Sequence, residues 1–153
     1  MTNKAISICG ELVETGHRLL QRVYYEDTDF SGLIYHARYL HFLERGRTDY
    51  LRCLGVEQSA LLGIDDEGLV FVVHRMEIDF KSPARMDDVL EILTTTVKAG
   101  GAKMVLDQEI RRGEQLLIAA KVTIAVVNRL GRPRRLPETL ATQFLTSSAQ
   151  APR

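Results

Sequence analysis

Residues 36–55 read HARYLHFLERGRTDYLRCLG, and this stretch decides the fold. Leu40, Leu43, Arg47, Tyr50, Leu51 and Leu54 recur at helical spacing. Tyr39 and Phe42 add apolar surface on neighbouring faces, so a helix from about His36 to Leu54 should be covered on more than one side. Gly55 supplies the stop signal. Gly46, inside the helix, costs about 1 kcal/mol relative to alanine. It is best understood if another side chain or backbone approaches closely there.

Beyond the helix the period changes to two. Val70, Val72, His74, Met76, Ile78 and Phe80 alternate with polar and apolar neighbours, as in a half-buried strand. Residues 88–99 are the next strand, rich in β-branching through Thr94-Thr95-Thr96. Gly100-Gly101 and Gly113-Glu114 are hairpin turns framing a strand over 102–112. Residues 115–128 are the last long strand, with Leu116, Ile118, Ala120, Val122, Ile124 and Val126 on one face. Pro137-Glu138 opens a short terminal helix. Before the long helix, residues 17–26 read as the first strand. Residues 1–15 read as a poorly ordered extension, 16–146 as one domain, and 147–153 as a frayed tail.

One helix followed by hairpins cannot be a crossover in a parallel sheet. The economical packing is α+β, an antiparallel five-stranded sheet wrapped around the long helix. So thin a unit leaves one sheet face poorly covered, and association through the sheet is expected.

The chain has 153 residues, 45% hydrophobic and 26% charged, enough for one core. Twenty basic and 20 acidic side chains give zero net charge, which excludes a global polycation for nucleic acid. Cys9 and Cys53 form no Cys-x-x-Cys pair, so neither a zinc site nor a disulfide framework is indicated. Cys53 reads as a buried structural thiol. No secretory signal and no run of the roughly 18–20 apolar residues that span a bilayer is seen. The expectation is a cytoplasmic protein with at most peripheral membrane contact.

The chemistry concentrates just before the helix, in Tyr24-Tyr25-Glu26-Asp27-Thr28-Asp29-Phe30-Ser31-Gly32. Carboxylates at a strand end face the start of a helix, where unpaired N–H groups and a positive dipole end are available. Such donors can hold a developing oxyanion while a carboxylate attacks or activates water. The same residues can equally cap the helix and turn the chain. A metal would find ligand types in Asp27, Asp29, His36 and His41, but the two histidines lie about 140° apart around a helix. His74, among apolar neighbours, reads as interior rather than catalytic. Arg132, Arg134 and Arg135 form a basic loop suited to phosphate, or simply a solvated turn.

This segment resembles the signature of the 4-hydroxybenzoyl-CoA thioesterase branch of the hotdog superfamily, and more narrowly the bacterial acyl-CoA thioesterases associated with the Tol-Pal system. The residues that carry the likeness are Tyr24 to Asp29, Gly32, Tyr35-His36-Ala37, Tyr39-Leu40 and Glu44-Arg45-Gly46-Arg47. Phe80 to Arg85 and Gly131 to Pro137 extend it. The resemblance implies hydrolysis of acyl-CoA to free acid and coenzyme A, with Asp29 as the catalytic carboxylate and Tyr25 and His36 beside it. The His36 N–H would polarise the thioester carbonyl. Asp29 would act as nucleophile, through an anhydride, or as general base. Arg132 and Arg134 would hold the nucleotide end of coenzyme A. Glu44 would be a structural partner of Arg45, Arg47 or a neighbouring subunit. No cofactor and no metal are expected. The family likeness also implies a homo-oligomer, a dimer of dimers, with the acyl group between sheet and helix of paired subunits. The rival readings are a non-catalytic acyl-CoA or acyl-carrier-protein binding module and a hotdog dehydratase.

Overall fold

The computed structural model describes residues 8–61, 63 and 65–151. The expectations for residues 1–7 and 152–153 therefore lie outside the described residues. Strand β1 spans Glu11–Val13 and β2 Gly16–Arg22. A 3-10 turn, Tyr25–Asp27, precedes helix α1, Arg38–Cys53, and a short helix α2, Gln58–Leu61, follows it. Strands β3 (Val70–Phe80), β4 (Val89–Gly100), β5 (Lys103–Arg112) and β6 (Gln115–Val127) come next, then helix α3, Glu138–Ser147.

The strands form one antiparallel sheet in the order β1-β2-β4-β5-β6-β3. The sheet has six strands, not five. The extra one lies in the stretch expected to be a loose extension, and it pairs Val13 with Gly16 across a tight hairpin. Too short and too exposed to show a period of two, β1 left no pattern to read. At the other edge β3, which follows the helix in sequence, sits outermost beside β6. Gly101 and Gly113, at φ of 60° and 59°, make the β4–β5 and β5–β6 turns that were expected.

Helix α1 lies against the inner face. Phe42 and Leu43 are fully buried with Leu90, Ile92, Ile110 and Ile118, while Tyr50 and Leu51 pack with Met104, Leu106, Val122 and Phe144. A Cβ on Gly46 would stand 2.7 Å from Ile92 Cγ2, so the missing side chain is what lets helix and sheet come this close.

Three local expectations are corrected. The first strand stops at Arg22, because the Asp27 carboxylate accepts the Tyr24 N–H at 2.9 Å and curls the chain into the 3-10 turn. In β3 the register shifts between Val73 and Arg75, and the bulge swaps the faces. Phe71 packs inward before it, Met76 and Ile78 after it, and His74 is exposed rather than interior. The expected frayed tail also begins in the core. The Ser148 hydroxyl is buried, takes the Thr96 N–H at 2.9 Å and lies 2.8 Å from the Tyr50 hydroxyl.

Candidate active site

The link from β2 to α1 is held by Asp27, which is 2% exposed. One carboxylate oxygen caps Tyr24, the other lies 3.2 Å from Arg38 Nε in the first helical turn. The Asp27 carbonyl accepts the Tyr35 N–H at 2.9 Å, and Arg38 also donates to the Glu26 carbonyl at 3.1 Å. Strand end and helix start are thereby locked together. Nothing in the periodicity marks this pair, because a single acid and a single base eleven residues apart carry no pattern. Asp27→Ala strands the Tyr24 N–H and loosens Arg38. A loss of about 1–3 kcal/mol is expected, checked by urea unfolding.

Asp29 stands at the tip of the small loop this clamp supports. Its N–H donates to the Leu33 carbonyl at 3.0 Å, and its carbonyl accepts the Gly32 N–H at 3.1 Å, with Gly32 at φ of 82°. The loop returns along the body of the protein where Ile34 donates to the Ala84 carbonyl at 3.1 Å. The Asp29 Oδ1 accepts both the Ser31 N–H, at 2.8 Å, and the Ser31 hydroxyl. The Ser31 hydroxyl first, then its N–H and the charge of His36, hold the Asp29 carboxyl below the usual carboxylate range. The group is exposed in the single chain and ionised at neutral pH.

His36 follows on the far side of the loop, its ring 4.9 Å from Tyr35 and edge-on to Phe80 at 6.3 Å. Among the described residues the His36 and Ala37 N–H groups have no hydrogen-bond acceptor, and no side chain caps α1. An uncapped helix start, with an ionised carboxylate in the loop before it that feels His36, offers the types of group that can hold an oxyanion and attack or activate water.

Tyr25 is placed on the preceding 3-10 turn, 82% exposed, with its hydroxyl bonded to neither Asp29 nor His36. The basic loop is elsewhere. Phe80, which touches His36, is at one end of β3, whereas Val70 at the other end pairs with Val127, next to the loop. Roughly 30 Å of strand separates them. Arg134 is held by Asp65, at 3.0 Å for one of its two contacts, and by the Gly68 carbonyl. Arg132 uses its N–H on Asn128 Oδ1 at 3.0 Å. One chain therefore does not unite Arg132 or Arg134 with Asp29.

The four metal-ligand types of the loop are not gathered either, since Asp27 is paired with Arg38 and His41 Nδ1 lies 3.4 Å from Arg38 Nη1. Among the described residues the ligand-type cluster is His17, Asp49 and Cys53. Asp49 Oδ2 already lies 2.6 Å from His17 Nε2, accepts the Gly10 N–H at 2.8 Å and lies 3.6 Å from the Cys53 thiol. Burial and Asp49 push that half-buried thiol up to about 11, so it stays protonated and its role is structural.

His17 is 1% exposed, and its Nδ1 has no partner. A neutral ring protonated on Nε2 leaves only a lone pair there, whereas an imidazolium would strand an N–H. Burial accordingly lowers the His17 pKa below 6.5, against the pull of Asp49. Between the folded value and 6.5 the unfolded chain binds the extra proton. The contribution to stability is thus complete above that window and is lost as pH falls through it. Urea midpoints at about pH 7.5 and about pH 5.5 check this. The wild type should lose more stability on acidification than His17→Gln, and equal losses would contradict the assignment.

A second feature lies along α1. A cavity of about 340 Å³ opens beneath β3, walled by Arg47, Leu51, Phe71, Met104, Ile124 and Phe144. Sequence reasoning did not find it, because its walls come from five separate elements.

A long helix wrapped by an antiparallel sheet, with a carboxylate loop ahead of the helix, defines a hotdog-fold protein. Residues 31–119 match the thioesterase superfamily model. The chain belongs to the thioesterase superfamily. It is 40% identical over 135 residues to the acyl-CoA thioesterase YbgC of Haemophilus influenzae, covering 87% of this chain and 97% of that protein. It is 42% identical over 125 residues to the acyl-CoA thioester hydrolase YbgC of Shigella flexneri, covering 80% and 91%. Among solved structures, a probable thioesterase from Bartonella henselae superposes with a TM-score of 0.77 at 49% identity, over 79% of this chain and 98% of that one.

Proposed function

We propose that the chain hydrolyses acyl-CoA thioesters to free acid and coenzyme A, with Asp29 as the reacting carboxylate. The observation that carries this is the ionised Asp29, within electrostatic reach of His36, in the loop that leads to the unpaired N–H groups at the start of α1. The thioester carbonyl oxygen accepts the His36 N–H, which stabilises the charge that develops on it. Asp29 then attacks the carbonyl carbon and expels the coenzyme A thiolate, leaving an anhydride that water cleaves. In the alternative route Asp29 takes a proton from water, which attacks directly. Tyr25 flanks the reacting acyl group. The names of the YbgC relatives support acyl-CoA as the substrate class.

The working unit is a homo-oligomer, in which β3 pairs with the same strand of a second copy and such dimers pair again. The support is an outermost strand of 11 residues carrying half-exposed Val72 and Val73. Antiparallel pairing about its middle puts Phe80 and His36 of one copy opposite Val70 and Phe71 of the other, where the cavity opens. The same pairing carries the basic loop with Arg132 and Arg134 towards the partner's Asp29, and it would there serve coenzyme A phosphates. The proposed setting is the cytoplasm, consistent with the free thiols of Cys9 and Cys53. The test is release of free thiol from a panel of acyl-CoAs. Turnover is expected, and tight binding without turnover would replace the enzyme with a binding module.

A further inference from the structure

We propose that the cavity beneath β3 selects acyl groups carrying a hydroxyl or keto oxygen, and that Arg47 is the donor that reads it. The proposal rests on the thioesterase reading and adds the substrate's chemistry.

Gln108 sets the geometry. It is 1% exposed, and its Nε2 donates to the Leu43 carbonyl at 2.9 Å and to Thr94 Oγ1 at 3.0 Å. The Leu43 carbonyl can only accept, so the amide orientation is determined, and Oε1 faces Arg47 Nη1 at 3.0 Å. Arg47 is thus aimed by a bracket anchored on both the helix backbone and the sheet. Gly46 keeps the space for that bracket, since a Cβ there would lie 3.3 Å from both Gln108 Nε2 and Thr94 Oγ1.

The bracket occupies one of the five guanidinium N–H groups. Among the described residues Arg47 makes no ion pair, and burial pulls its pKa down. A half-buried cation such as Arg47 normally has an anion or several acceptors around it. Glu44 and Thr48 share the cavity lining, but among the described residues neither is hydrogen-bonded to Arg47, and the walls at Leu51, Phe71, Met104, Leu106, Ile124 and Phe144 are hydrocarbon, aromatic or thioether and supply no comparable acceptor. The guanidinium N–H groups outside the bracket are thereby left for an occupant of the cavity. The apolar walls call for a largely hydrocarbon chain, and the single donor for one oxygen upon it. A neutral oxygen fits better than a carboxylate, because Glu44 lines the same cavity and already opposes the Arg47 charge.

The experiment compares acyl-CoAs of equal chain length, unsubstituted or bearing a hydroxyl at successive carbons. For the wild type kcat/KM should rise about 10- to 100-fold at one hydroxyl position, the range of a hydrogen bond to a charged group. In Arg47→Met that ratio should fall to within about twofold of unity, and Gln108→Leu should lower it in part, as expected when the guanidinium loses its bracket. Thermal melting of each variant separates lost selectivity from lost fold. The same pairs, prepared as non-hydrolysable thioethers, give a binding ratio by calorimetry. No preference at any position in the wild type, or a preference that survives in folded Arg47→Met, overturns the proposal. If neither thioester is hydrolysed, the thioesterase reading falls, while the thioether ratio still decides the role of Arg47.

Discussion

Asp29→Asn is expected to lower kcat for acyl-CoA hydrolysis by about two to four orders of magnitude, with little change in KM. Asparagine keeps the size of the side chain, and its carbonyl can still accept the Ser31 N–H that Asp29 Oδ1 accepts at 2.8 Å. The loop therefore keeps its shape while losing the charge that either attacks the thioester or takes a proton from water. Both routes need the ionised form. The Ser31 hydroxyl, the Ser31 N–H and His36 hold the Asp29 carboxyl below its ordinary range. The acid limb of the wild-type pH–rate profile should accordingly fall below the ordinary carboxylate range, with activity retained as pH rises through neutrality. Ser31→Ala should move that limb upward by removing the first of the three causes. Full turnover by Asp29→Asn would remove Asp29 from the mechanism and return the loop to a capping role.

The second large effect is on stability. Tyr50→Ala should cost about 3–5 kcal/mol, read from urea midpoints. Tyr50 is fully buried where the helix, the sheet and the C-terminal helix meet. Its ring stacks on His17 at 5.4 Å and meets Phe144 edge-on at 5.2 Å. Its hydroxyl lies 3.0 Å from Thr96 Oγ1, 2.5 Å from Ser147 Oγ and 2.8 Å from Ser148 Oγ. Alanine removes the aromatic volume and leaves those buried hydroxyls short of a partner. Tyr50→Phe isolates the second contribution and should cost about 1–3 kcal/mol. If Tyr50→Ala unfolds at the wild-type urea concentration, α3 and the end of α1 are not one cooperative unit.

Much of this was legible beforehand. The long helix could be seen because apolar side chains at Phe42, Leu43, Tyr50 and Leu51 follow its turn, and a stop at Gly55 closes it. The β4–β5–β6 meander could be seen because glycine turns and alternating burial repeat through it. The carboxylate loop was marked by its composition, and the order of Asp29, Gly32 and His36 is local in sequence. The β3 faces were misread because one bulged residue reverses all later side chains, and a count of alternation carries no sign of where the extra residue falls. Arg132 and Arg134 were placed at the site by chemical suitability alone, which says nothing about which end of a strand a loop occupies.

Taken by itself, the amino-acid order determined the two longer helices, the five longer strands, their antiparallel joining and the residues of the carboxylate loop, but not β1 or α2. These depend on periodicity, turn chemistry and neighbours only a few positions apart. Only the tertiary structure decided that β3 lies at the sheet edge, that Asp27 clamps Arg38, and that Gln108 aims Arg47 into a cavity. Such pairings join side chains from separate elements. Their strength depends on burial and direction, which exist only once the chain has folded.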